Sequence, residues 1–187
     1  MVPAWKVGQP SPLEGKKTIT YYSGVAWLYS GVAPDLNSQM RSITATVNIK
    51  NKETEGVILA NGGRWDGFSI YVKDNHVVCE SNGYRSTHRK LISKQPLPTG
   101  KVTIKFEMIQ AGPAKQANPF ASTGAKGRLA KLYINGESAG EEEFISMGGQ
   151  IWETLDIGTD TGTPVSDAYT VPFTFTGEIE KVTIKCH

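Results

Sequence analysis

The feature that most constrains the fold is a regular alternation of apolar and polar residues over several short runs of the chain. Residues 43–49 read ITATVNI, and the runs 68–72, 102–108, 130–134 and 182–184 alternate in the same way. Because successive side chains of a β-strand point to opposite faces of the sheet, each run buries one face and exposes the other. One-sided burial of this kind is typical of antiparallel sheets. The alternation therefore predicts a chain built from strands.

Turn-forming residues separate these runs. Asn135-Gly136 follows the run 130–134, and such a pair accepts a positive φ at both central positions of a tight hairpin turn. Lys73-Asp74-Asn75 predicts a second hairpin, and Asn61-Gly62-Gly63 is expected to interrupt another run. Residues 111–127 are rich in alanine, glycine, proline and lysine and lack periodicity, so we predict a long loop there.

The number and spacing of the runs predict the architecture. About ten to twelve strands fit into the 187 residues, with turns at the spacing expected of sandwiches and barrels. Strands of this kind must bury their apolar face against a second sheet. We therefore predict an all-β fold, a two-sheet antiparallel jelly-roll sandwich of the concanavalin A-like lectin/glucanase type. Residues 18–187 are expected to form a single domain after an N-terminal extended segment, residues 1–17.

Charge and hydropathy argue against two classes of partner. The formal net charge is only +2, and the basic residues are spread along the chain, so we expect no nucleic-acid partner. No stretch approaches the roughly 20 apolar residues that cross a bilayer, so we expect no membrane partner. Residues 1–17 contain three prolines and no apolar region, which does not fit a signal peptide.

The two cysteines, Cys79 and Cys186, are too few for a disulfide framework. Cys79 follows two valines, which favours a buried free thiol. A bridge between the two cysteines stays an alternative. None of the three histidines has metal-ligand spacing with either cysteine.

Exposed aromatic rings are the first candidate site. Sugar-binding sandwiches stack tryptophan or tyrosine rings on pyranose faces and add polar side chains around them. Trp65 lies in a glycine-rich stretch between Arg64 and Asp66, so these three residues are predicted to bind a carbohydrate or to dock another domain. Tyr84 and Arg85 are assigned to the same site. The other candidate rings are those of Trp27, Tyr29 and Trp152, of which Trp27 and Trp152 are expected in the core or at its rim.

Three aspartates, Asp156, Asp160 and Asp167, form the second candidate site, close together among glycines and a proline. Carboxylates beside turn carbonyls hold hard cations, which predicts a structural calcium site. The alternative is an ordered loop in which Asp and Thr side chains bond to turn backbone amides. No other cofactor is expected.

The C-terminal part of the chain resembles a known domain. Residues 156–184 read DIGTDTGTPVSDAYTVPFTFTGEIEKVTI, and two further blocks begin at Thr20 and Glu55. Together they cover the chain from about Thr18 to its end, and they resemble the non-catalytic C-terminal domain of bacterial arylsulfatases. The resemblance implies an accessory domain that packs on the sulfatase catalytic domain of the same parent chain and stabilises it. It also implies a periplasmic or secreted parent and a partner surface on residues 156–184.

The residues that carry sulfatase chemistry are missing from this sequence. Sulfatases of that family oxidise a Cys or Ser of a C/S-x-P-S-R motif to formylglycine, but Cys79 is followed by Glu-Ser-Asn-Gly. The consecutive carboxylates of residues 141–143 point to opposite faces of a strand and do not form the facing acid/base pair of a glycosidase. We therefore predict no catalytic residues and no enzyme activity in this chain. The alternative function is a stand-alone carbohydrate-binding, lectin-like module, with a glycan as partner.

Overall fold

The computed structural model describes residue 13 and residues 15–29, 31–36, 40–82, 88–113, 126–144 and 153–186. These residues form strands, turns and irregular segments and contain no helix. In chain order the strands are β1 (Thr18–Tyr21), β2 (Met40–Ile49), β3 (Gly56–Gly63), β4 (Asp66–Lys73), β5 (His76–Asn82), β6 (Arg89–Ile92), β7 (Gly100–Pro113), β8 (Lys126–Ile134), β9 (Glu137–Phe144), β10 (Leu155–Ile157) and β11 (Glu178–Cys186). The described part of the chain accordingly includes no helix long and apolar enough to cross a membrane.

The strands form two antiparallel sheets. The six-stranded sheet has the order β1-β11-β2-β7-β8-β9, and the five-stranded sheet has the order β10-β3-β4-β5-β6. Every pair of neighbouring strands is antiparallel. The predicted all-β, two-sheet jelly-roll sandwich is confirmed. Most of the predicted N-terminal segment, residues 1–17, lies outside the described residues, so the domain boundary stays a prediction.

The main core lies between the two sheets and is built by the alternation seen in the sequence. On β2, every second residue from Ile43 to Ile49 is at most 1% exposed. Phe68 of β4 and Phe106 of β7 meet across the sandwich with ring centroids 4.9 Å apart. Apolar burial stabilises by about 25 cal/mol per Å², so this interior holds the two sheets face to face.

Both predicted hairpins are confirmed by backbone geometry. Asn135 and Gly136 join β8 to β9 with φ values of 52° and 86°, and Asp74 and Asn75 join β4 to β5 with φ values of 50° and 61°. The expected break at Asn61-Gly62-Gly63 is wrong, because all three residues belong to β3 and the turn falls on the next two residues.

The long loop predicted over residues 111–127 is also wrong at both ends. β7 continues to Pro113 and β8 begins at Lys126, and these two residues pair across a register shift that follows Ala111. A bulge allows the ladder to pass a proline, which has no backbone N–H to donate. Residues 114–125 lie outside the described residues.

Residues 158–175 cover the outer face of the five-stranded sheet. Val165 and Tyr169 pack against Val57 and Tyr71 in a second hydrophobic cluster. The rings of Tyr71 and Tyr169 meet edge to face with centroids 5.2 Å apart. The apolar side chains of this segment were expected to offer a partner surface, but they pack on the sheet of their own domain.

Cys79 and Cys186 are both free and buried, which confirms the predicted thiol of Cys79 and excludes the alternative bridge in this structure. Burial raises the pKa of both thiols above the ordinary value. At neutral pH the two cysteines are therefore protonated.

Candidate functional site

Two tryptophans are the most exposed aromatic residues among those described. Trp27 is 68% exposed and Trp65 is 64% exposed. Trp65 lies in the turn between β3 and β4, and Trp27 lies next to Leu28, which bridges Leu155 at the β10 edge of the same sheet. Single exposed apolar side chains are common on protein surfaces, so these two rings become informative through the segment that anchors both of their backbones.

Trp27 is held by a carboxylate from a distant part of the sequence. Its backbone φ is 62°, in the left-handed region that residues other than glycine adopt uncommonly and that local contacts must stabilise. The Trp27 backbone N–H donates to Asp156 Oδ1 at 2.7 Å. The other carboxylate oxygen of Asp156 accepts bonds from the Thr161 backbone N–H at 3.1 Å and from its hydroxyl at 2.6 Å. Asp156 therefore fixes Trp27 and the following loop together.

The turn that carries Trp65 is anchored by Thr163 and Glu153. The Arg64 backbone N–H donates to Thr163 Oγ1 at 2.8 Å. Thr163 in turn donates its backbone N–H to Glu153 Oε2 at 2.7 Å and its hydroxyl to the other oxygen of Glu153. A Cβ at Gly63 would collide with the Glu153 carboxylate, so glycine is required for this approach.

Asn82 holds the same turn from the other side. Its side-chain amide donates to the carbonyl oxygens of Gly63 at 2.9 Å, Arg64 at 3.2 Å and Val165 at 2.7 Å. These bonds connect the turn of Trp65 to Val165, in the segment that covers the outer face of the five-stranded sheet. Residues 153–165 are thus hydrogen-bonded to the backbone of Trp27 and to the turn that carries Trp65.

Asp160 completes a group of three carboxylates in this segment. It is 1% exposed, and its Oδ2 accepts bonds from the Tyr169 hydroxyl at 2.6 Å and from the Val165 backbone N–H at 3.1 Å. Burial raises the pKa of Asp160, its two hydrogen bonds lower it, and the nearby charges of Asp156 and Glu153 raise it further. Asp160 is therefore close enough to Asp156 and Glu153 for their charges to disfavour its ionised form.

The three predicted calcium ligands do not share one environment. Asp156 and Asp160 are buried, whereas Asp167 is exposed. Within the described ranges, no group of three or more His, Cys, Asp or Glu residues is arranged to hold a metal ion. The alternative interpretation, Asp and Thr side chains bonded to loop amides, is present in the structure. Calcium binding itself stays a prediction.

The predicted aromatic site is only partly assembled by the structure. Arg64 and Trp65 are exposed as expected, but Asp66 is 4% exposed and does not present its charge to solvent beside the ring. Asp66 begins β4, a strand whose first seven residues are all buried. Tyr84, Arg85 and Trp152 lie outside the described residues. Tyr29 is 57% exposed.

Trp27 was a candidate ring but was expected in the core or at its rim, and its 68% exposure corrects that expectation. Sequence reasoning missed three further contributors, the anchors Asn82, Glu153 and Thr163. Three of the hydrogen bonds that place these residues join positions 18 to 129 apart in the sequence. No local pattern contains that information. The one usable signal was the density of Asp, Thr and Gly residues after position 153.

Comparisons with known proteins extend the description of the fold. No protein-family model matches the chain, and no curated protein matches it in sequence. The CBM40 of the Ruminococcus gnavus IT-sialidase bound to α2,3-sialyllactose is similar in structure, with a TM-score of 0.54 at 19% sequence identity over 91% of this chain and 90% of that chain. The same CBM40 bound to α2,6-sialyllactose gives a TM-score of 0.54 at 18% identity over the same shares.

A third similar structure comes from an animal protein. Domains LG4-5 of the mouse laminin α1 chain give a TM-score of 0.55 at 10% identity over 91% of this chain and 40% of that chain. None of these structures is a sulfatase, so they lend the predicted sulfatase relationship no support. At such identities the similarity shows the fold alone. In fold, then, the chain is a jelly-roll β-sandwich similar to lectin-like and laminin-G-like domains.

Proposed function

We propose that the chain is a carbohydrate-binding, lectin-like module without catalytic residues of its own. The observation that carries this proposal is the pair of exposed tryptophans, Trp27 and Trp65, whose backbones are both anchored by residues 153–165. The name tryptophan pair is used below for these two residues.

Exposed indole rings provide what a sugar needs for binding. The apolar face of a pyranose stacks on an aromatic face, and polar groups around the ring bond to the sugar hydroxyls. Covering about 100 Å² of ring contributes about 2.5 kcal/mol at 25 cal/mol per Å². Arg64 precedes Trp65 in the turn and offers a guanidinium, whereas the Thr163 hydroxyl is already engaged with Arg64 and Glu153.

Anchoring of the backbones that carry the rings strengthens the case. Ordering a side chain or loop on binding costs affinity, and a site that is already ordered avoids this cost. Asp156 fixes the backbone of Trp27, and Asn82 and Thr163 fix the turn of Trp65. The similarity to a CBM40 bound to sialyllactose supports a glycan-binding role at the coarse level of the fold.

Glycan-array screening followed by calorimetry tests the proposal. Trp65→Ala or Trp27→Ala is expected to weaken binding of the best glycan at least tenfold. Ile92→Ala is the matched control, since Ile92 is 52% exposed but lies on β6 at the opposite edge of the sheet from β10. Unchanged affinity in both tryptophan variants, or no glycan binding at all, would overturn the proposal.

An accessory role beside a sulfatase catalytic domain is a second proposal, and it rests on the sequence resemblance of residues 156–184 and the two shorter blocks. In that role the domain would be periplasmic or secreted with its parent. A C/S-x-P-S-R motif in the reading frame upstream of this domain would support it. A gene neighbourhood without any sulfatase would count against it.

A further inference from the structure

The charges around the tryptophan pair restrict the class of glycan that fits there, an inference that rests on the proposed function. Asp156 contacts the Trp27 backbone directly at 2.7 Å. Glu153 is one residue removed from the Trp65 turn, through Thr163. Asp160 lies close enough to both carboxylates to feel their charge. Three carboxyl groups therefore belong to the segment that anchors the backbones of the two rings, one of them in direct contact with Trp27.

Among the described residues, one cation takes part in the same contacts. Arg64 is the residue before Trp65 and is exposed. The donors to the three carboxylates are backbone amides and the hydroxyls of threonine and tyrosine, which carry no charge. In the part of the chain that the structure describes, the negative charge is therefore hydrogen-bonded but not paired with a lysine or arginine.

We propose that the site at the tryptophan pair selects uncharged glycans and discriminates against sialylated, sulfated or uronic-acid-containing ones. A carboxylate or sulfate on a stacked sugar would lie within about one Debye length of the three carboxyl groups, where screening by salt is incomplete. Unit charges about 8 Å apart repel by roughly 0.5 kcal/mol even at the dielectric constant of water. An excess of two negative charges therefore weakens an anionic ligand roughly fivefold.

The test uses matched pairs of glycans, each neutral oligosaccharide beside its sialylated or sulfated form, on an array and then by calorimetry at about 20 mM and about 200 mM salt. The neutral member is expected to bind at least about fivefold more tightly at low salt, with a smaller ratio at high salt. Equal or tighter binding of the acidic member would overturn the inference and leave the proposed function standing. Absence of binding by both members would overturn both.

A charge variant separates electrostatics from shape. Glu153→Gln removes one negative charge at nearly constant volume, and it is expected to bring the acidic form about twofold closer to the neutral form. Glu178→Gln is the control, because Glu178 begins β11 in the other sheet and pairs with Lys50. A ratio that responds equally to both variants, or to neither, would contradict local charge as the cause. Thermal unfolding of each variant confirms that it is folded.

Discussion

Asp156 accepts a hydrogen bond from the backbone N–H of Trp27 at 2.7 Å, across 129 positions of sequence. Asp156 is 2% exposed, whereas Trp27 is 68% exposed. A buried carboxylate thus anchors the backbone that carries an exposed ring. The same carboxylate accepts bonds from Thr161 through its second oxygen, so one residue anchors both the Trp27 backbone and the loop that contains Thr161.

Asp156→Ala is expected to destabilise the domain by about 2–4 kcal/mol, because the amides of Trp27 and Thr161 and the Thr161 hydroxyl lose their acceptor. Glycan affinity should fall with it, since Trp27 is released from its φ of 62°. Urea unfolding and calorimetry measure the two effects. Thr154→Ala is the control, because its hydroxyl makes only a long 3.4 Å bond to Asp156. An Asp156→Ala domain with unchanged stability would contradict this role.

Asp160→Asn is expected to stabilise the domain relative to the native chain at neutral pH and to lose that advantage in acid. Burial raises the pKa of Asp160 in the folded state above its ordinary value of 3.8. A group with a raised pKa contributes most to stability below its unfolded pKa, and the contribution is lost as the pH rises through the folded pKa. The asparagine oxygen still accepts from Val165 and Tyr169 but does not ionise.

Urea unfolding of both proteins from about pH 3.5 to pH 8 checks the Asp160→Asn prediction. The stability of the variant minus that of the native chain should grow from about pH 4 upward and then level off. A difference that is constant across this range, or that shrinks as the pH rises, would show that Asp160 is not held in its charged form at a cost.

Tyr169→Ala is expected to cost about 3–5 kcal/mol, because the ring fills the second cluster between residues 158–175 and the sheet. Tyr169→Phe keeps the ring but removes the hydroxyl that donates to Asp160, so a loss of about 1–2 kcal/mol is expected. Chemical denaturation separates the two variants. Equal losses would mean that the hydroxyl, and not the packed ring, dominates.

The calcium site and the hydrogen-bonded loop predict different responses to calcium, and the loop interpretation predicts that millimolar calcium or a chelator leaves the melting temperature unchanged. Both oxygens of Asp156 already accept hydrogen bonds, and Asp167 is exposed whereas Asp156 and Asp160 are buried. Differential scanning fluorimetry with and without EDTA measures this directly. A rise of several degrees on adding calcium would instead support the calcium site predicted from the three aspartates.

The fold was predictable because its signal is local. The alternation in residues 43–49 becomes the buried face of β2, and Asn135-Gly136 becomes a hairpin turn because its two residues tolerate positive φ. The end of β7 was not predictable in this way. Ala111 and Pro113 pair with β8 although the sequence does not alternate there, and such pairing depends on the partner strand.

The site was predictable only in part. Trp65 was expected to be exposed from its glycine-rich turn, and it is. The exposure of Trp27 depends on Asp156, and the rigidity of the Trp65 turn depends on Asn82 and Thr163. These contacts form only after the sandwich brings distant segments together, so no local sequence pattern reports them.

The most direct test of the central claim is an NMR titration of the indole N–H resonances with the best glycan found by array. The chain has four tryptophans, and Trp→Phe variants assign their signals. The account predicts that the Trp27 and Trp65 resonances shift with saturation, while backbone resonances on the outer face of the six-stranded sheet do not. Saturable shifts confined to that sheet face, with both indole signals unmoved, would contradict it.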